Sequence, residues 1–332
     1  MAEQLRHIPV MLGEAVEGLA VQTGGRYLDG TFGRGGHARA VLSRLGPDGR
    51  LLLMDRDPSA IDAAQAEFAA DPRVAIRHTN FSSLAEWDET AAGLDGVLLD
   101  LGVSSPQLDE AARGFSFMAD APLDMRMDTS QGESAADFLV HADEREIADV
   151  LWTYGEERHS RRIARAIVED RAATPFIRTG QLAALIERVV GRREPGKHPA
   201  TRSFQALRIR VNGELDALQH GLDAALERLK PGGRLAVISF HSLEDRAVKL
   251  FIRDHSGRVQ NSRRGPPVQA APARLAAIGK AQFPSDGELA ANPRSRSAVL
   301  RVAEKLLAQS WPDQSRPDPS RTDQGQPEGG HA

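Results

Sequence analysis

The 332-residue chain contains no cysteine. That excludes disulfides, thiolate nucleophiles and sulfur-ligated metal sites, and it fits a reducing compartment, so a cytoplasmic location is expected. No apolar run approaches the ~18 residues that a transmembrane helix requires. The opening Met1-Ala2-Glu3-Gln4-Leu5-Arg6-His7 has no apolar signal-peptide core, so no membrane partner is expected. A global basic excess is missing too: the formal net charge is −4, unlike that of a chain built throughout to hold nucleic acid. What remains is ordinary for a globular protein, with 41% hydrophobic and 27% charged residues. The length allows one large domain or two, either able to bury a sizeable core.

The charge is unevenly spread. Residues 151–210 hold 13 Arg/Lys against 6 Asp/Glu, a local +7 that leaves −11 for the rest. Twelve of the 13 are arginine, the side chain best suited to bidentate phosphate contact. They include Arg158, Arg161, Arg162, Arg165, Arg171, Arg192, Arg193, Arg202, Arg208 and Arg210, with Lys197 among them. A second basic stretch holds Arg253, Arg258, Arg263, Arg264 and Arg274. Solvated helix faces would account for one such cluster; two in an acidic chain favour a polyanionic partner.

Strand-like runs alternate with helical patterns over the first hundred residues. Arg26–Asp29 leads into a glycine loop and a helix near 37–45. Pro47-Asp48-Gly49 turns the chain before Leu51-Leu52-Leu53-Met54-Asp55. Asp57-Pro58 reads as the N-cap and first residue of a helix over 59–69. Val74–His78 predicts a third strand and Gly96-Val97-Leu98-Leu99-Asp100 a fourth. Continuous apolar runs suit strands covered on both faces, as in a parallel sheet. From about Ala135 to Asn212 the pattern is helical, without a strand. The α/β rhythm resumes with an amphipathic helix at 214–229, the turn Lys230-Pro231-Gly232-Gly233 and a strand at 234–239. A helix at 243–252 and a last strand at 297–303 follow. Residues 309–332, rich in Pro, Asp, Ser, Gly and Gln, read as a disordered tail.

Residues 28–37 read Leu-Asp-Gly-Thr-Phe-Gly-Arg-Gly-Gly-His. Glycine permits positive φ and lets a ligand touch the backbone, so a strand–glycine loop–helix unit commonly holds a nucleotide. Gly33-x-Gly35-x-x-Ala38 satisfies the dinucleotide pattern, although a plain structural turn can read the same way. Asp55, 26 residues beyond Asp29, is placed to accept hydrogen bonds from ribose hydroxyls. NAD and S-adenosylmethionine (SAM) both carry such a ribose. Three features favour SAM. Asp29 suits an ammonium and would repel a pyrophosphate. A Lys-Pro-Gly-Gly turn before a late strand is common in SAM-dependent methyltransferases. Asp100 ends the fourth strand, where such folds place the methyl-accepting atom. Phe81, after the third strand, is either core or a wall for a nucleobase, and Asp29, Asp55 and Asp100 can equally be strand-end acids that cap loops.

Several further blocks stand out: His7-Ile8-Pro9-Val10-Met11, residues 30–37, Met54-Asp55-Arg56-Asp57, residues 99–109 and Arg113-Gly114-Phe115-Ser116-Phe117. Leu123-Asp124-Met125-Arg126-Met127, Tyr154-Gly155-Glu156-Glu157-Arg158 and Lys197-His198-Pro199-Ala200-Thr201-Arg202 come next. The last are residues 238–246 and Asn292-Pro293-Arg294-Ser295-Arg296-Ser297. Together they closely resemble the bacterial 16S ribosomal RNA (cytosine-N4)-methyltransferases of the MraW/RsmH type, from residue 7 to about 304. The resemblance implies an α/β fold, a Rossmann-like class I SAM-dependent methyltransferase domain with an inserted, mainly helical substrate domain. The expected division is 1–134 with 212–308 for the methyltransferase domain and 135–211 for an RNA-binding insertion. It implies SAM as cofactor, bound at Gly35, Gly36, His37, Asp55, Phe81, Asp100 and Gln107, and no metal. The implied substrate is a cytosine in the decoding region of 16S rRNA, within the small ribosomal subunit or its precursor. An NAD-dependent oxidoreductase and a non-enzymatic RNA-binding assembly protein are the alternatives.

The missing cysteine now bears on mechanism. Methylation of cytosine at C5 ordinarily needs a thiolate to attack the ring, and that route is closed here. The N4 amine needs no covalent intermediate, but its lone pair is spread into the ring. Acceptors that hold its two hydrogens can return that pair to nitrogen, and positioning of this kind supplies several kcal/mol of a barrier. Amino-methylating enzymes often carry an Asp/Asn-Pro-Pro-aromatic motif for this purpose. Here Asp100-Leu101-Gly102-Val103 stands in its place, so Asp100, with Ser104 or Ser105 and a nearby backbone carbonyl, is the expected catalytic set. Asp124, Arg126 and His241 are further polar candidates.

Overall fold

The computed structural model describes residues 9–191, 198–257 and 272–307. His7, Ile8, Arg192, Arg193, Lys197, Arg258, Arg263, Arg264 and the expected tail at 309–332 lie outside the described residues. In chain order the elements begin with α1 (Leu12–Gly18), β1 (Arg26–Asp29), α2 (Gly36–Leu42), β2 (Arg50–Asp55), α3 (Pro58–Phe68), β3 (Val74–His78) and β4 (Leu94–Asp100). A short α4 (Ser105–Asp109) is followed by five helices: α5 (Ala135–His141), α6 (Glu144–Gly155), α7 (Ser160–Arg171), α8 (Thr179–Val190) and α9 (Thr201–Asn212). Then come α10 (Glu214–Arg228), β5 (Leu229–Ser239), α11 (Ser242–Asp254), β6 (Leu275–Gln282), α12 (Asp286–Ala291) and β7 (Val299–Lys305). Among the described residues no helix is long and apolar enough to cross a membrane.

The seven strands form one sheet in the order β3-β2-β1-β4-β5-β7-β6. β1 to β5 are parallel, and β7 runs antiparallel to β5 and β6. The continuous apolar runs are explained by two buried faces. Along β2, Leu51 and Leu53 enter the core cluster that α1, α2 and α3 cover, while Leu52 and Met54 enter the cluster under α10 and α11. Successive side chains of a strand point to opposite faces, so a run apolar at every position fits only a sheet covered twice.

Two local features differ from the sequence reading. The Lys230-Pro231-Gly232-Gly233 turn lies inside β5 as a bulged excursion. Leu94 pairs with Leu229 and Gly96 with Arg234, and Gly232 has φ 81°. β6 was not foreseen. Its sequence, Leu-Ala-Ala-Ile-Gly-Lys-Ala-Gln, is poor in β-branched and aromatic residues, and it is held as a strand by pairing with β7.

The helices α5 to α9 build a core of their own, which includes Phe138, Ile147, Ile163, Leu182 and Phe204. Phe115, Leu123, Met125 and Met127 join the same cluster, so the segment before residue 135 packs with the helices. Gly213, in the left-handed conformation at φ 58°, separates α9 from α10 and returns the chain to the sheet.

Candidate active site

A cavity opens at the carboxyl ends of the strands, beside β1. There the sheet order reverses, since β1 pairs with β2 on one side and β4 on the other. That is where open α/β sheets bind their ligands. The loop 30–34, Asp55, Arg56 and Phe81 form one side of the lining, and Asp100, Leu101, Gly102, Val103, Ser104 and Ser105 another. Phe240 and Glu244 contribute from β5's outlet and α11.

Most of the expected residues meet here. Asp55 ends β2 and accepts the N–H groups of Gly33 and Asp57, each at 2.8 Å. Asp100 ends β4; its own N–H donates to Thr31 Oγ1 at 2.6 Å, and its Oδ2 lies 3.6 Å from His37 Nδ1. His37 Nε2 reaches the Val10 carbonyl at 3.2 Å. Ser104 is the N-cap of α4, and its N–H donates to Gln107 Oε1 at 2.9 Å. Gln107 Nε2 in turn donates to Asp57 Oδ2 at 2.8 Å, so its amide ties α4 to the start of α3. Phe81 lines the cavity with α10 close behind it: a Cβ on Gly221 would stand 2.4 Å from its ring.

Gly35 and Asp29 sit differently from a ligand-facing wall. Gly35 is the left-handed N-cap of α2 at φ 70°, and a Cβ there would stand 2.7 Å from the Phe32 ring. Its N–H is bound to Phe32 O, so the residue shapes the turn behind the cavity. Gly36 does line the cavity, and a Cβ on it would be 2.0 Å from Pro9 Cγ. The glycines thus admit neighbouring side chains of the chain itself, a demand no local pattern displays. Asp29 is 2% exposed and accepts the Thr31 N–H at 3.1 Å; it lies under the cavity lining.

Asp124 and Arg126 form a bidentate pair at 2.8 Å away from the cavity. His241 caps α11 and does not line the cavity. Glu244, which does line it, escaped the sequence reading although a polar residue three positions before a Glu at a helix start is a capping-box signal. Its Oε2 accepts the Phe240 N–H at 2.8 Å, and Oε1 is 3.1 Å from His241 Nε2. Glu214, His241 and Glu244 place ligand-type atoms within 4.8 Å of one another. Arg208 already grips both oxygens of Glu214 at 2.8 and 2.7 Å, which accounts for that carboxylate without a metal.

The electrostatics of the acids separate them. Burial pushes Asp29 up to about 7, with the charge of Asp55 adding to it and the Thr31 N–H opposing. Burial raises Asp55 to about 6 against the two backbone N–H groups it accepts. Asp100 stands well above the ordinary carboxylate value, because of burial first and then the charges of Asp29 and Glu244. Glu244 is held below its ordinary value: burial would raise it, but His241, Arg208 and the Phe240 N–H outweigh that.

A sign follows for stability. The native state binds protons on Asp29 that the unfolded chain, near 3.8, has released, so this group's contribution is lost as pH rises from about 4 to about 7. The melting temperature of the unliganded wild type, minus that of Asp29→Asn, is therefore expected to fall across that window. A difference constant from pH 4 to 8 would show that Asp29 does not titrate there.

A doubly covered sheet with an antiparallel β7, a cavity where the order reverses and acids at the ends of β1, β2 and β4 define a class I SAM-dependent methyltransferase. The chain belongs to the MraW methylase family, whose model matches residues 4–306. It is 63% identical over 299 residues to the ribosomal RNA small subunit methyltransferase H of Stenotrophomonas maltophilia (strain K279a), covering 90% of this chain and 93% of that one. To the protein of the same name from Xylella fastidiosa (strain M23) it is 61% identical over 307 residues, covering 91% and 98%. A solved SAM-dependent O-methyltransferase from Thermotoga maritima aligns with a TM-score of 0.42 at 12% identity, over 93% of this chain and 70% of that one.

Proposed function

We propose that this chain methylates the N4 amine of a cytosine in the decoding region of 16S rRNA, acting in the cytoplasm on the small ribosomal subunit or its precursor. The observation that carries the reading is the state of Asp100. Its Oδ1 is buried with no hydrogen-bond partner among the described residues, at the strand end that class I enzymes turn toward the transferring methyl group. SAM supplies an electrophilic methyl on a sulfonium cation. A cavity with Asp55, Asp100 and Glu244 in its lining and Asp29 beneath suits that cation and its ammonium group. The same acids would repel the pyrophosphate of NAD, and Pro9 crowds the N-terminus of α2 where a pyrophosphate would dock.

In this reading Asp55 accepts the ribose hydroxyls and Phe81 walls the adenine. Gly36 and His37 face the methionine part, with Gly35 setting the turn, and Gln107 braces α4 against Asp57. Asp100 accepts one hydrogen of the cytosine amine. Ser104 or Ser105, both in the lining, and a nearby carbonyl take the other. A paired cytosine has that amine engaged, so the base must be unpaired or flipped into the cavity. Transfer of labelled methyl from SAM to small subunits, with mass mapping of the nucleoside, tests the reading. N4-methylcytosine is expected, with little transfer to a perfect duplex holding the same cytosine. Label elsewhere on the nucleoside, or equal rates on both substrates, would overturn it.

The helical insertion, taken as 135–211 with the packing of residues 115–127 added, is proposed to hold the RNA. Its arginines divide. Arg171 donates to the Leu139 and Ala142 carbonyls, Arg208 is committed to Glu214, and Arg210 lies over the Phe138 ring, so these three hold the fold. Arg161, Arg162 and Arg165 are exposed on α7. Arg162 leans on the Val189 carbonyl and Arg165 sits 3.7 Å from Glu144, a spacing worth little at a surface. Replacing the three with glutamine is expected to lower RNA affinity and flatten its salt dependence. The slope should change by up to ~0.7 log units for each single-strand phosphate that the arginines no longer neutralise. SAM affinity should hold. Parallel salt titrations with equal affinities would remove α7 from the RNA surface.

A further inference from the structure

We propose that Asp100 exchanges a proton in step with the charge of the cofactor: it releases one when the sulfonium enters the cavity and takes one from the cytosine amine after the methyl group has moved. The inference rests on the methyltransferase reading above and adds to it a proton count.

Val10 O can only accept, so His37 Nε2, 3.2 Å away, carries a hydrogen. In a singly protonated ring, Nδ1 then presents its lone pair toward Asp100 Oδ2 at 3.6 Å. A proton between the two, on either partner, is what makes that approach favourable. The other oxygen, Oδ1, is buried and unpartnered among the described residues. The charged groups around Asp100 are mostly anionic: Asp29 from the end of β1 and Glu244 from α11, with Asp55 beyond Asp29 at the end of β2. The arginines of the lining are turned to other duties or to solvent. Arg56 donates to the Asn212 carbonyl, Arg294 pairs with Asp109, and Arg34 is exposed. Glu244 keeps its own charge through His241 and the Phe240 N–H, and so acts on Asp100 as a fixed negative neighbour.

A carboxyl group with one oxygen shut off from solvent and anions around it holds a proton until a cation offsets them. The sulfonium is that cation, and the demethylated product, S-adenosylhomocysteine (SAH), is a neutral thioether. In the chemical step the N4 lone pair forms the bond to the methyl carbon, and the electrons of the broken C–S bond stay on sulfur. The positive charge passes to N4, whose surplus proton goes to the Asp100 carboxylate. Sulfonium plus carboxylate become thioether plus carboxylic acid, so charge and protons balance. The group then stands as it did before the cofactor arrived.

Calorimetric titrations of the full chain with SAM and with SAH, in buffers of different ionisation enthalpy near pH 7, test the proposal. Asp55 faces the ribose that both ligands share and Asp29 lies beneath the lining, so the protons of these two are common to both titrations and cancel in the difference. Wild type is expected to release more protons with SAM than with SAH, approaching ~1 per site. The ratio of the SAH to the SAM Kd should rise with pH, by up to ~tenfold per unit. In Asp100→Asn the difference should vanish while both ligands still bind; if that variant does not fold, the pH dependence of the wild-type ratio decides. Equal proton release with both ligands and a pH-independent ratio would overturn the proposal alone. A difference that survives in Asp100→Asn would also overturn it. Binding of neither ligand would overturn the methyltransferase reading as well.

Discussion

Replacing Asp100 with asparagine is expected to lower kcat for methyl transfer by about 10²–10⁴, the range by which a positioned proton acceptor accelerates a reaction. The amide is nearly isosteric, and the N–H···Oγ1 bond from the Asp100 backbone to Thr31 is untouched, so the end of β4 should keep its place. What changes is chemistry. An amide cannot take the proton that N4 must lose, and its NH₂ group can turn donors toward a base that needs acceptors. If the RNA is held by the helical insertion as proposed, the KM for the ribosomal substrate should move little, and the acidic limb of the pH–rate profile should disappear. Single-turnover methyl transfer on small subunits measures the effect. A kcat within threefold of wild type would assign the deprotonation to solvent or another group.

The largest effect on stability is expected at Asp57. This carboxylate is only 3% exposed and holds four partners: Arg113 at 3.0 Å, Gln107 at 2.8 Å, and the N–H and hydroxyl of Ser59 at 3.0 and 2.9 Å. Burial would raise its proton affinity, but the bonds from Gln107 and Arg113 hold it below the ordinary carboxylate value. Asp57→Ala removes the cap of α3 and leaves the guanidinium of Arg113, 12% exposed, without its counter-charge. Losing one partner of a buried pair costs about 3–5 kcal/mol. The urea midpoint should fall accordingly. Arg113→Met in the same chain should recover part of the loss, because it removes the stranded charge. A loss below about 1 kcal/mol for Asp57→Ala alone would show that solvent replaces the pair. The contact also ties the end of β2 to the segment that packs with the insertion, since Arg113 donates to the Arg126 and Met127 carbonyls.

Much of this architecture is legible along the chain because it depends on near neighbours. β1, β2 and β4 lie where apolar runs end in aspartate, β3 where one ends in His78, and Asp57-Pro58 starts α3 as an N-cap should. Among the described residues, the stretch from Ala135 to Asn212 holds five helices and no strand. Hydrogen-bonded turns, caps and the two-residue period of a strand are set within a few positions, so single-sequence patterns carry them. The family motifs carried the expected ligand set further than any such pattern.

Contacts across long separations were decided only by the folded chain. Glu244 meets Asp100 because β5 lies next to β4, with Ile238 opposite Asp100, which brings α11 to the same edge as the end of β4. Nothing near residue 244 announces that neighbour. Asp29 precedes the glycine loop as a ligand-facing acid would, yet it sits under the lining, because β1 is flanked on both sides and both faces of the sheet are covered. Arg208 counts toward the basic surplus along the chain, and in the fold its charge is spent on Glu214. Which residues become strands, caps and helices is therefore written locally in this sequence. Which carboxylates lie close to one another, which glycines admit a proline, and which arginines stay exposed were decided by strand order and packing, because burial and charge depend on distance through space.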